Sequence, residues 1–158
     1  MADEPIQSIR QQIVDAIKIR FGDILQENDY ETDIGKNVYF WLLRPLSATE
    51  LPAIICRDRL RTEWKALGSW NRFLDVNIEL HIMPENIDVD DGADGVMRQI
   101  IADLETAIGT DPMWGGLAED TSLIENEEIN IEAKNNIFIA VLAKMTIEYS
   151  TLPWNPYE

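Results

Sequence analysis

The chain has 158 residues, 46% of them apolar, the size of one domain that buries roughly two thirds of the surface its unfolded form exposes. A net charge of −16 and a pI near 4.3 exclude a chain that embraces nucleic acid, because phosphate binding needs clustered Lys and Arg that release counterions. No apolar run approaches the roughly 20 residues that span a bilayer, and the opening MADEPIQSIRQQ has neither the basic region nor the apolar core of a secretory signal, so the protein is expected to stay in the cytoplasm that makes it.

Asp3, Glu4 and Pro5 suit a helix start, since carboxylates favour the positive end of the dipole and proline fits the first turn. Ile6, Ile9, Ile13, Ile17 and Phe21 then recur at helical spacing up to Gly22, and Gln7, Arg10, Gln11 and Lys18 face the other way. This amphipathic first helix must lay its apolar stripe on something flat. After an acidic, turn-prone stretch over 26–37, the run VYFWLL at 38–43 reads as a strand. Pro45, Ser47 and Thr49 break the pattern before strand character resumes from Pro52 to Cys56, which predicts a hairpin or wide turn between strands one and two. Pro52 belongs at the start or open edge of its strand, because it has no N–H for a ladder.

From Phe73 to Met83 the alternation is regular: Leu74, Val76, Ile78, Leu80 and Ile82 on one face, Asp75, Asn77, Glu79 and His81 on the other. One face should be buried and the other wet. Helix two follows, with Met97, Ile100, Ile101, Leu104 and Ile108 at helical spacing, aspartates available to cap its start, and Gly109 as its stop. Leu123 to Ala133 supplies a fourth strand, joined around Lys134, Asn135 and Asn136 to a last one from Ile137 to Tyr149, which is apolar on both faces and therefore central. The closing residues 152–158, LPWNPYE, hold two prolines and read as an extended tail. The expectation is one α+β domain over 1–158: a mainly antiparallel sheet of about five strands with two helices on one face, in the order α-β-β-β-α-β-β.

Little of this chain suggests catalysis. Cys56 is the sole cysteine, so no intrachain disulfide forms, and its apolar setting predicts a buried, inert thiol. His81, the sole histidine, should point to the polar face of its strand; no GxSxG elbow accompanies it, and no HExxH or GxxxxGK[ST] occurs. The run Asp88, Asp90, Asp91, Gly92, Asp94 fails as a calcium loop, because Ala93 stands where the EF-hand needs glycine and Gln99 where it needs glutamate. It reads instead as an acidic turn that complements the dipole of helix two. No catalytic residue, metal ligand or cofactor is expected.

One contrast remains. Five basic residues, Arg57, Arg59, Arg61, Lys65 and Arg72, fall within sixteen positions and interleave with Trp64 and Trp70 in an otherwise acidic chain. Read structurally, this is a surface connection between strands two and three whose long side chains shield a sheet edge, with the tryptophans tucked into the core. Read functionally, Trp and Arg are the residues that most often anchor interfaces, and an aperiodic connection of this length is more often functional than structural. Identical copies would then pair the basic segment with a neighbour's acidic surface, head to tail, and close into a ring if the rotation allows.

Two breaker-rich joints carry a family resemblance. RPLSATELPAI, from Arg44 and Pro45 through Leu51 and Pro52 to Ile54, resembles the joint between the first two strands of the tail terminator proteins of long-tailed bacteriophages. GTDPMWGGLAED, built on Asp111, Pro112, Gly115 and Gly116, resembles the same family's link from the second helix to the fourth strand. The element order agrees from Ile6 to Tyr149. The resemblance implies a non-enzymatic virion protein of the neck end of the tail, in a ring that is usually hexameric. Such a ring caps the finished tail tube, stops further tube subunits from adding, and presents a surface to head completion proteins. Its implied partners are its own copies, the tube protein and the connector, with no membrane and no direct nucleic-acid contact. The contact candidates are Arg57, Arg59, Arg61, Trp64, Lys65, Trp70, Arg72 and Trp154, with the acidic 26–36 loop. Other readings are a different phage neck or head–tail joining protein, a monomeric module that stacks a ligand on its tryptophans, and a small hydrolase or metal-dependent enzyme using His81 with nearby carboxylates.

Overall fold

A computed structural model describes residues 5–64, 68–82, 92–133 and 137–158, and their side chains except at 64, 124–133, 137 and 138. The elements run α1 (Ile9–Gly22), β1 (Val38–Phe40), β2 (Ala53–Trp64), β3 (Trp70–His81), α2 (Asp94–Gly109), β4 (Asp120–Ala133) and β5 (Ile137–Thr151), with short 3-10 turns at Gln26–Asn28, Ile34–Lys36 and Ala48–Glu50. The five strands form one sheet in the order β1-β2-β3-β5-β4, so β5 is interior, as its two apolar faces required.

Helix α1 begins later than Asp3 to Pro5 suggests, because the Ser8 hydroxyl accepts from the Gln11 amide at 3.2 Å and fixes the start there. It buries Ile13, Val14, Ile17 and Phe21 and leaves Ile6 exposed. In α2, Asp94 lies inside the first turn and pairs with Arg98 four residues on at 2.8 Å. The residue before the helix is Ala93, with no side-chain cap, so capping by an aspartate does not occur there; Asp88, Asp90 and Asp91 lie outside the described residues. The core joins Ile13, Val14, Ile17 and Phe21 of α1 and Ile100, Leu104, Ala107 and Ile108 of α2 to the inward residues of the sheet, among them Leu74, Val76, Ile78, Leu80, Val141, Met145 and Ile147. Both helices therefore cover one face.

Two expectations about connections are overturned. β1 and β2 do not form a hairpin; they pair in parallel, Val38 with Ile54 through Phe40 with Cys56. The strand stops at Phe40 because Trp41 takes φ 55°, and residues 41–52 carry the chain back to the end from which β1 started, the length a parallel crossover requires. The basic stretch is likewise no loop. β2 and β3 pair without a break from Ala53 with His81 to Trp64 with Trp70. Apolar alternation failed to reveal this half of β2 because Asp58 and Thr62 flank Leu60 at its inward positions, so a single apolar residue marks the inner face there.

Residues 152–158 leave the ladder, as their prolines required, but they fold back. The Leu152 amide donates to the Glu158 carbonyl at 2.7 Å, and the Ile9 amide donates to the Pro156 carbonyl at 2.9 Å, tying the segment to the start of α1.

Candidate interaction surface

The face of the sheet away from the helices gathers most of the singled-out residues. Strand alternation puts Arg57, Arg59 and Arg61 on that face of β2, because Ile54, Cys56 and Leu60 at the alternate positions point to the core. Across the sheet, Arg57 is level with Asn77 and Lys144, Arg59 with Asp75 and Thr146, and Arg61 with Phe73 and Glu148.

These arginines are not equivalent. Arg61 donates to both carboxylate oxygens of Asp75, at 2.5 and 3.2 Å, and Thr146 donates to the same carboxylate at 2.8 Å. Asp75 is 6% exposed despite its place on the outer face, so that face is not uniformly wet. Arg61 and Thr146 together hold the Asp75 carboxyl below the usual carboxylate range against the opposing effect of burial. Arg57 donates to Glu79 at 2.7 Å, and His81 Nε2 lies 3.2 Å from the other oxygen of that carboxylate. Burial works against the Glu79 carboxylate, yet the bonds from Arg57 and His81 outweigh it and leave its pKa lowered. Arg59 is exposed and has no ion pair among the described residues.

The remaining candidates sit elsewhere. Arg72 points to the helix side, buried, with its Nε donating to the Thr151 hydroxyl at 2.8 Å and its guanidinium 5.5 Å from the Trp70 ring centroid, apart from the three outward arginines of β2. Trp70 is partly buried and meets Trp154 edge-on, centroids 4.6 Å apart. Trp70 Nε1 is buried without a partner among the described residues, whereas Trp154 is 86% exposed. Lys65 and the Trp64 side chain lie outside the described residues.

Both family-like joints are internally locked. Glu50 accepts from Arg44 through both terminal nitrogens, at 2.6 and 2.7 Å, from the Tyr39 hydroxyl at 2.7 Å and from the Ser47 amide at 3.1 Å. With Arg44 the largest influence, these donors depress its pKa far below the ordinary carboxylate value. The loop thus fixed leans over the outer face and closes a cleft floored by Leu51, Ile55 and Ala140, with Leu42 and Leu46 on the loop side and Glu79 and His81 on the sheet side. Leu51 is buried, Pro45 is exposed, and the Leu51–Pro52 peptide is cis. In the second joint the Asp111 carboxylate accepts from the Gly115 amide at 2.6 Å and the Met113 amide at 3.1 Å. Gly115 and Gly116 take φ 70° and 89°, where a side chain is strained.

Three polar anchors escaped the sequence reading. Arg20 of α1 donates to the Asp111 carbonyl at 2.5 Å and stacks 3.8 Å from the Trp114 ring centroid, fastening the second joint to the first helix. Asp58, on the core side of β2, accepts from Arg10 and from the Trp41 indole, each at 2.8 Å. Asp103 of α2, 4% exposed, accepts from the Glu31 and Thr32 amides and the Thr32 hydroxyl at 3.1, 2.8 and 2.6 Å, and so shapes the acidic loop. Each is a charged residue inside an apolar pattern, which composition alone does not distinguish from a solvated one.

Cys56 is fully buried, and burial raises its thiol pKa well above the ordinary range, consistent with an inert thiol. Among the described residues no group of three or more His, Cys, Asp or Glu is arranged to hold a metal ion, and no helix is long and apolar enough to cross a membrane. No family model matches the chain, and no curated protein matches it.

Proposed function

We propose that this chain is a structural, non-catalytic virion protein that acts as a tail terminator, joining its own copies in a ring on the rim of a phage tail tube and offering the opposite side to a head completion protein. The observation that carries the reading is the outer face of the sheet, which neither helix covers. Both helices lie on the other side, and the outer face presents fixed ion pairs beside Arg59, an exposed cation with no ion pair among the described residues, a pattern suited to recognition by shape and charge. The resemblance of the two joints to those of tail terminators supplies the identity of the partners.

Electron microscopy of tube subunits polymerised with and without the protein tests this. Capped tubes of limited length are expected with it, and the Arg59→Glu variant should cap poorly while folding normally. Tubes that grow to the same length in both cases overturn the reading. Copurification with portal-bearing heads in place of tubes would assign the chain to head–tail joining. A second reading has one observation in its favour: His81 and Glu79 stand together beside an apolar cleft, as an acid–base pair beside a bound substrate would. If it holds, His81→Ala removes a turnover; on the terminator reading, it removes none.

A further inference from the structure

The sheet has two open edges, and they are chemically opposite. β1 pairs with β2 only over Ile54 to Cys56. On that side the Ile54 amide donates to the Asn37 carbonyl, the Cys56 carbonyl accepts from Trp41, and the Asp58 carbonyl accepts from Arg10. By the alternation of an antiparallel ladder, Leu60 and Thr62 turn their N–H and C=O groups the same way, and neither has a partner there among the described residues. This open stretch belongs to the strand that carries Arg57, Arg59 and Arg61. At the other end of the sheet, β4 pairs with β5 over Asp120–Ile124 and Glu128–Ala133, with a register shift between the two stretches, and with no strand beyond it among the described residues. Its sequence holds Asp120, Glu125, Glu127, Glu128 and Glu132 and no Lys or Arg.

We infer that the β4 edge of one copy adds to the open β2 edge of the next, Leu60 to Thr62 supplying backbone hydrogen bonds and the β2 arginines meeting the β4 acids. The inference rests on the ring reading above for its premise that copies associate; the choice of edges follows from the strands themselves. An open edge is a template for another strand. Like charges placed opposite one another destabilise a strand pair, so β4 against β4 sets five acids against five. β2 holds Asp58 and Glu63 beside its arginines, and an antiparallel β2–β2 pair centred on Arg61 would face Arg59 with Glu63 but Arg61 with its own copy. β4 against β2 brings Arg59, which has no ion pair among the described residues, to a strand whose charges are all acidic. Such a contact is head-to-tail, so each copy keeps one free edge of each kind and addition continues until the rotation closes a ring. The same acids would also suit an edge built only to refuse partners, and the experiment separates the two roles.

Sedimentation velocity of the full chain over a wide concentration range should reveal a species larger than the monomer. Thr62→Pro removes an edge N–H that the β2–β3 ladder does not use, so the larger species should be lost with the circular dichroism spectrum and urea midpoint retained. Arg59→Glu, and separately Glu127→Lys with Glu128→Lys, should each leave the chain monomeric. Their equimolar mixture should reassociate, with native mass spectrometry finding the two variants in equal numbers. A wild-type chain that stays monomeric throughout, a Thr62→Pro chain that assembles unchanged, or a mixture that stays apart overturns the edge pairing. Each of those results leaves the terminator reading to the tube-capping assay, which fails or succeeds separately.

Discussion

Truncating Asp103 to alanine probes how the acidic 26–36 loop is held. The carboxylate is nearly sealed from solvent and receives three donors, two of them backbone amides of the loop. A hydrogen bond to an ionised group contributes about 1.5–3 kcal/mol, but donors that reach water after truncation recover much of that, so a loss of about 3 kcal/mol is expected for the whole set. Asp103→Asn keeps one acceptor oxygen and turns an NH2 group toward the other donors, which should cost about half as much or more. Urea unfolding reads the loss as a lower midpoint at unchanged slope, and hydrogen exchange should show the Thr32 amide losing protection before the helices do. If Asp103→Ala costs under about 1 kcal/mol and Thr32 stays protected, the loop is held by its own bonds, such as Gln26 N–H to Asp33 at 2.9 Å, and the reasoning is wrong.

Acid should act through Asp75. Its folded pKa is depressed, chiefly by Arg61, so its stabilising contribution is complete above the unfolded value of about 3.9 and is lost as pH falls through the lower folded value; Asp75→Asn should be less stable at neutral pH and lose less on acidification, measured as urea midpoints against pH. Cys56, buried with its pKa raised, should resist a disulfide reagent at neutral pH in the folded chain and react fully in denaturant, followed by absorbance. Gly35 admits no side chain, since a Cβ there would overlap the Phe21 and Ile24 carbonyls; Gly35→Ala should cost on the order of 4 kcal/mol, seen as a large fall in melting temperature.

The helices and β3 were legible because their apolar residues keep strict periods: Ile13, Ile17 and Phe21 on one stripe, Leu74 to Ile82 on one face. β5 was legible as an inner strand because both of its faces are apolar. The parallel β1 was not, since three residues carry no directional signal and the breakers of 44–52 suit a crossover as well as a hairpin. The outer half of β2 was hidden because Asp58 takes an inward position normally apolar, and its reason, the pair with Arg10 and the Trp41 indole, spans residues distant in sequence. The basic cluster was visible as composition, yet its division into Arg57 and Arg61 with partners, Arg59 with none among the described residues, and Arg72 facing inward depends on strand pairing. Gly35 gave no signal, because the space it occupies is defined by backbone from another turn.

Placing both helices on the same side of the sheet divides the labour of the sequence. Substitutions at the inward positions disturb the packing that defines the fold, whereas outward ones such as Arg59 and Asn77, away from Asp75 and from the cleft over Ile55 and Ala140, meet mainly solvent and neighbouring polar groups. Much of one face of the sheet can thus be rewritten while the other face preserves the scaffold, so the outward surface is free to diverge faster than the architecture.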